Sequence, residues 1–320
     1  MVKTKYEIIE KSASSFGGLH PVSGIHPILG LHAVSELLES IQFNKVFSDV
    51  FGKYRKVRKY DPADNLKLLI AAIFCGGERL SDVNRLNIDS AIPELFGNSN
   101  VPYDTTIRND LKHIGQRPAE RQELLFRLNE KLLKRTGTKT MTIDMDGTAT
   151  PVEGHQTNAK KGYCPEAPGS RCFQHLLVLC DEMDSPLAIE TRPGNTHCAN
   201  GAAEMIGKVL ERFSPQMESI LVRDDAGFYS DEILELYESY HNVEYEVKAA
   251  KFGKIASKID DYCFKTYHGS KREYAVYEYT ITGGKPRTYY VERERRDEKL
   301  YLFDGCLRCD CDVQADCVAT

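Results

Sequence analysis

Apolar residues recur at helical spacing over roughly the first 135 residues of this chain and at strand spacing over much of the rest. Between 29 and 51 the set Leu31, Val34, Leu37, Leu38, Ile41, Val46 and Phe47 predicts helix. Asp61-Pro62 predicts the next helical start, with Leu66, Leu69, Ile70 and Ile73 on its buried face and Gly76-Gly77 at its end. A further helix-like stretch begins at Ser81. Asp104 or Thr105 reads as the N-cap of a short helix that presents Arg108 and Lys112 outward, a candidate helix-turn-helix reader. Residues 118–135 form an amphipathic pattern with Leu124, Leu125, Leu128 and Leu132 on one side. Thr136-Gly137-Thr138 closes it, which places a domain boundary near residue 138.

After residue 140 the period changes. Met141, Ile143 and Met145 alternate with Thr142, Asp144 and Asp146, the signature of a half-buried strand. Residues 173–180 and 187–191 flank the turn-forming run 181–186 and predict a hairpin. Helix over 200–213, strand over 219–223, helix from Ser230 to about 240 and strand over 243–249 follow. Three strands, then helix, strand, helix, strand predict an α/β domain with a mixed sheet. Residues 262–303 turn β-rich again around Gly283-Gly284.

Composition narrows the class. The chain has 320 residues, 41% apolar and 28% charged, which is globular and long enough for two domains. No apolar run approaches the roughly 20 residues of a membrane helix, and no signal-peptide pattern opens the chain, so a cytoplasmic protein is expected. The net charge of −5 hides an asymmetry. Residues 1–140 carry 21 Lys+Arg against 16 Asp+Glu, which leaves 21 against 31 for residues 141–320. A basic front and an acidic back suit a DNA-gripping domain before a metal-binding one. The basic run Lys53, Arg55, Lys56, Arg58 and Lys59, with Tyr54 and Tyr60 interleaved, reads as phosphate-contacting or as a solvated loop. Of ten cysteines, four crowd the tail (Cys306, Cys309, Cys311, Cys317), without the paired spacing of a zinc ribbon.

The chemistry centres on two acidic stretches, 142–148 and 221–228. Asp146 and Asp225 each end an apolar, strand-like run, and each precedes a small residue, Gly147 or Ala226. A carboxylate in such a place needs a cation or hydrogen-bond donors. Hard cations such as Mg2+ take one or two carboxylates plus water and phosphate oxygens. Asp144 shares the Asp146 face and reads as a further ligand or a hydrogen-bonded support. Asp224 points away from Asp225, toward Arg223 or a loop donor. Each aspartate also reads as a turn cap.

Several blocks together resemble the DDE transposases of bacterial insertion sequences. They are Ile143-Asp144-Met145-Asp146-Gly147-Thr148, Gly154-His155-Gln156, Gly162-Tyr163, Arg192-Pro193-Gly194-Asn195-Thr196-His197 and Val222-Arg223-Asp224-Asp225-Ala226-Gly227-Phe228-Tyr229. Gly76-Gly77-Glu78-Arg79-Leu80-Ser81-Asp82-Val83 and Asp104-Thr105-Thr106 fit as well. The resemblance spans about 28–305. It implies a ribonuclease H-like mixed sheet (139–320) with a helical N-terminal DNA-binding domain (1–138) and a β-rich insertion at about 262–303. It implies Asp146 and Asp225 as catalytic metal ligands, with Asp144 as fallback, for Mg2+ or Mn2+. Its implied partners are double-stranded DNA (element ends and target) and a second copy of the chain on that DNA. The family's third acidic residue, a Glu on a helix after the insertion, has no counterpart here. Glu292, Glu294 and Glu298 lie in the β-rich stretch, so a C-terminally truncated and catalytically impaired chain is expected. The alternatives are a non-catalytic DNA-binding remnant that inhibits an intact copy, and a ribonuclease H-like nuclease.

Overall fold

A computed structural model describes residues 28–52, 59–249, 264–266, 272–280, 285–296 and 299–308. Expectations for 1–25, for Lys53, Arg55, Lys56 and Arg58, for the Gly283-Gly284 turn, for Glu298 and for Cys309, Cys311 and Cys317 lie outside those residues. The chain divides into two compact units between Arg121 and Gln122.

The first unit is helical: α1 (Ile28–Ser40), α2 (Phe43–Phe51), α3 (Pro62–Phe74), a 3-10 segment (Leu80–Ile88), α4 (Ala91–Leu95) and α5 (Asp104–Gly115). Asp61 caps α3 by accepting from the Ala63 amide at 2.9 Å, with Pro62 in the first turn. The face that α3 buries is not the expected leucine row. Asn65, Leu68, Ala71 and Ala72 are buried, and Ile73 is 58% exposed. Asn65 donates to Asp110 Oδ2 of α5 at 2.7 Å. A buried amide with a charged partner and two alanines that permit close helix approach outweigh the larger side chains. Residues 96–103 connect α4 to α5, longer than the roughly 3–4-residue turn of a helix-turn-helix. α4 and α5 are therefore not joined by the short turn of that motif, and their connection is packed, with Phe96, Asn98, Val101 and Pro102 buried.

The second unit is built on one sheet. Its strands are β1 (Thr140–Val152), β2 (Lys160–Lys161), β3 (Arg171–Cys180), β4 (Ser185–Pro193), β5 (Ser219–Asp224), β6 (Val243–Lys248), β7 (Lys265–Thr266), β8 (Arg272–Thr280), β9 (Pro286–Arg296) and β10 (Lys299–Arg308). Their order is β2-β3-β1-β5-β6-β10-β9-β8-β7, with β4 also on β3. β1, β3 and β4 pair antiparallel, whereas β1, β5 and β6 run parallel. Helices α7 (Ala202–Phe213) and α8 (Asp231–Glu238) make the two parallel crossovers. This is the ribonuclease H-like α/β arrangement with a mixed sheet. The β-rich stretch is no separate body among the described residues. β10 pairs antiparallel with β6, so the same sheet continues through it and past residue 303.

Alternation in β1, β3, β5 and β6 sends Met141, Ile143, Met145, Val178, Ile220, Val222 and Val247 to one face, where α7 and α8 cover them. Helix α6 (Pro118–Thr136) begins at the unit boundary, and its Phe126 and Leu133 belong to this core. The buried face runs through Phe126, Asn129 and Leu133, with the predicted leucines only half-buried. Asn129 turns inward because the Leu125 and Pro186 carbonyls accept from its amide, each at 2.9 Å. No described helix is long and apolar enough to cross a membrane.

Candidate metal-binding carboxylates

Strand register brings the two acidic stretches side by side. Asp144 pairs with Arg223 and Met145 with Asp224 along the parallel β1–β5 ladder. One residue further along both chains lie Asp146 and Asp225. Both are exposed, and both follow the alternation that keeps Met145 and Asp224 on the buried face. The two carboxylates thus rise on the open face one residue past the last β1–β5 pair. Asp146 does not end its strand: β1 leaves β5 there but continues beside β3 to Val152. Asp146 Oδ1 accepts from the Gly147 amide at 2.7 Å. Asp225 opens a 3-10 turn (Ala226–Phe228).

Asp144 and Arg223 form a two-pronged ion pair, Nε to Oδ1 and Nη2 to Oδ2, both at 2.7 Å. Arg223 Nη2 also reaches Asp181 Oδ2 at 3.1 Å. Bonding to Asp144 and its charge raise the Arg223 pKa. Both oxygens of Asp144 are thus occupied, the geometry of a support rather than of an open ligand.

Asp224 does not pair with Arg223. It is buried, and its Oδ2 accepts from the Tyr237 hydroxyl of α8 at 2.6 Å. Its Oδ1 has no hydrogen-bond donor in bonding geometry among the described residues. Burial pushes its carboxyl up to about 7; the Tyr237 bond and the Met145 amide pull down in part, and Asp144 and Asp225 add to the rise.

Cys198 joins the two acidic turns from a third element. A methyl group at Gly147 would lie 3.3 Å from its Cβ, and one at Gly227 would lie 2.8 Å from its Sγ. The Cys198 thiol points to the Gly227 carbonyl at 3.7 Å. The segment carrying Cys198 is fixed by buried Arg192, whose guanidinium donates to the carbonyls of Cys198 and Asn200. Sequence reasoning missed Tyr237, Asp181 and Cys198. Their links to the carboxylates depend on strand register, which no local spacing announces.

Among the described residues no three His, Cys, Asp or Glu side chains group closely enough to hold a metal ion. The chemistry of the pair still fits a hard cation. Asp146 and Asp225 are exposed oxygen donors beside small residues, the one or two carboxylates that Mg2+ takes when phosphate and water complete its shell. In the helical unit, Arg108 and Lys112 stand exposed one turn apart on α5, with Arg108 3.5 Å from Asp104. Lys59 lies 5.0 Å from the Tyr60 ring centroid.

Solved structures similar to this chain include a piggyBac transposase synaptic complex with hairpin DNA, at 11% identity and a TM-score of 0.40, covering 91% of this chain and 62% of that one. Another is a Mos1 transposase paired-end complex with left transposon end, at 10% identity and a TM-score of 0.23, covering 68% and 76%. The chain thus spans about 62% of the length of the piggyBac chain. No curated protein sequence matches it significantly. Residues 28–287 match transposase DDE domain group 1, and the chain belongs to that family of transposases.

Proposed function

We propose that the chain acts in cutting and joining DNA at transposon ends, with Asp146 and Asp225 holding a divalent cation, Mg2+ or Mn2+, as two of the three acidic residues that the resemblance implies. The observation that carries this reading is their placement one residue past the last β1–β5 pair, on the open face, each before a small residue. A divalent cation bound there supplies Lewis-acid stabilisation to phosphodiester cleavage. Asp146 and Asp225 orient it by their carboxylate oxygens. Gly147 and Ala226 leave room for a phosphate to approach. The Arg223 pair with Asp144 and Asp181 holds the strand ends in register and keeps Asp144 from competing as a ligand. In the cutting step water forms a bond to phosphorus and the 3′-oxygen leaves as a 3′-OH. In the joining step that 3′-OH attacks a target phosphate and displaces its 3′-oxygen. The helical unit would grip DNA phosphates through Lys59, Arg108 and Lys112, and two copies would hold the two ends.

Mn2+ binding to the full chain, followed by electron paramagnetic resonance, tests the carboxylates directly. Asp146→Asn and Asp225→Asn should each weaken it by about tenfold or more and abolish nicking of a plasmid carrying the DNA that flanks the coding region. Unchanged Mn2+ affinity in both variants would overturn the assignment. Metal-independent DNA binding without nicking selects the non-catalytic remnant. Nicking without joining of a 3′-OH donor selects the nuclease.

A further inference from the structure

The loop before β3 carries a surface feature that the carboxylate site does not explain. Lys160 and Lys161 are exposed on β2, and neither has an ion-pair partner among the described residues. Two residues on, Tyr163 is 80% exposed. Lysines on an edge strand protect against edge-to-edge pairing. That accounts for Lys160 and Lys161 and leaves Tyr163 in water without a reason.

The backbone beneath these side chains is held from several directions. Buried Gln174 donates to the Tyr163 carbonyl at 2.7 Å. Arg171 donates twice to the Ala159 carbonyl, at 3.0 and 2.6 Å. Gly162 lies so close to Gly194 that a methyl group on it would overlap the Gly194 carbonyl, and one on Gly194 would overlap the carbonyls of Lys160 and Cys172. Gly194 belongs to the turn that leads through Arg192's anchor to Cys198, and Cys198 touches Gly147 and Gly227. The loop is therefore held to the turn that leads to the carboxylates, and Tyr163 and Lys161 stand exposed on it.

Register gives the spacing. Asp146 sits opposite Leu177 and Lys161 opposite Arg171, both on β3 and on the same face, whereas Lys160 stands opposite buried Cys172 and faces the other way. Six residues along the strand and two strand spacings across put Lys161 about 23 Å from Asp146. At about 3.4 Å per nucleotide along one strand of a duplex, that corresponds to six or seven nucleotides.

We propose that Lys161 and Tyr163 form a single-stranded DNA subsite flanking the scissile phosphate, in which Tyr163 stacks on an unpaired base and Lys161 contacts an adjacent phosphate. Exposed aromatic rings beside cationic side chains bind single strands in this way because every base offers a π-face. The inference rests on the DNA-processing reading of the carboxylates and adds the strand they act on.

The chain has no tryptophan, so Tyr163→Trp introduces a unique fluorophore. In EDTA buffer, where cleavage is silent, its emission should be quenched on titration with oligo-dT or a forked duplex, and not with a blunt duplex. Anisotropy of labelled oligo-dT measures total binding in parallel. Tyr163→Ala should weaken it by about fivefold or more. Lys161→Ala should reduce the log–log salt slope by about 0.7. Tyr163→Phe should bind like the parent chain. Binding by anisotropy with unquenched indole emission from the Tyr163→Trp chain and an unchanged salt slope overturns this subsite and leaves the carboxylate reading standing. No DNA binding by any form overturns both.

Discussion

At the residue scale, the two adjacent aspartates of β5 and its following turn have opposite environments although they are covalent neighbours. Asp225 is exposed and free to meet a cation. Asp224 is buried against α8, where the Tyr237 hydroxyl donates to one of its oxygens and the other has no donor in bonding geometry among the described residues. Strand alternation forces this division, because successive side chains leave a strand on opposite faces. A carboxyl in that interior is tolerated only with a donor. Tyr237→Phe removes the hydroxyl and keeps the ring that packs 5.7 Å from Tyr245. It should lower stability by about 1–3 kcal/mol, the cost of leaving a buried polar group unsatisfied. Thermal unfolding measures this, and an unchanged midpoint would show that Asp224 draws nothing from Tyr237. The Asp144–Arg223 pair is different in kind. Its side chains are 36% and 42% exposed, so its value lies in positioning more than in stability.

At the element scale, the β-rich stretch is tied to α8 by charge and to the turn before α8 by a hydroxyl pair. Arg287 of β9 is buried and binds Asp231 at 2.6 Å and Glu238 at 2.8 Å, at the two ends of α8. Tyr229 and Tyr289 share a hydrogen bond at 2.7 Å. Burial pushes the Glu238 pKa up, but the bonds from Arg287 and Tyr245 and the charges of Arg287 and Lys285 outweigh it, so the net shift is downward. A carboxyl whose folded pKa is depressed binds its proton more weakly folded than unfolded. Its stabilisation is complete above the ordinary glutamate range and is lost as pH falls through the lowered folded value. Protection of the β8 and β9 amides, taken relative to the intrinsic hydrogen-exchange rate at each pH, should therefore fall on acidification. Arg287→Met should lower it at neutral pH, leaving little further acid response. Equal acid sensitivity in the variant would show that the clamp does not hold these strands. Of this stretch, β character was legible in the chain, from the alternating tyrosines and charges of 272–296. Its membership of the main sheet was not, since β10 meets β6 across more than fifty residues of sequence.

At the scale of the whole molecule, the break between units falls one helix earlier than the Thr136-Gly137-Thr138 signal suggests. The turn residues there do end α6, which is what their chemistry encodes. They do not mark where packing changes partner. Phe126 meets Phe213 edge-on at 5.7 Å, and Arg212 binds Glu130 at 2.7 Å. A fragment starting at Pro118 keeps these contacts, whereas one starting at Lys139 exposes Phe213 and the α7 face. Burial of Phe126 and Leu133 is worth about 1.5–3 kcal/mol each. The shorter fragment should accordingly unfold at a lower denaturant midpoint, and equal midpoints would place the boundary at 138 after all.

The sequence by itself determined the strand and helix periods, the helix cap at Asp61, the two acidic stretches and the family they resemble. Each is a local pattern, set by alternation, capping or adjacent small residues. Tertiary structure alone decided that Asp146 stands beside Asp225, that Asp144 is taken by Arg223, that Asp224 turns inward to Tyr237, and that Cys198 bridges the two acidic turns. These depend on the parallel register of β1 against β5, fixed by burial on the sheet's helical face and by crossovers through α7 and α8. No spacing along one chain segment carries that register, because it is settled only when separate segments bury their apolar faces against each other.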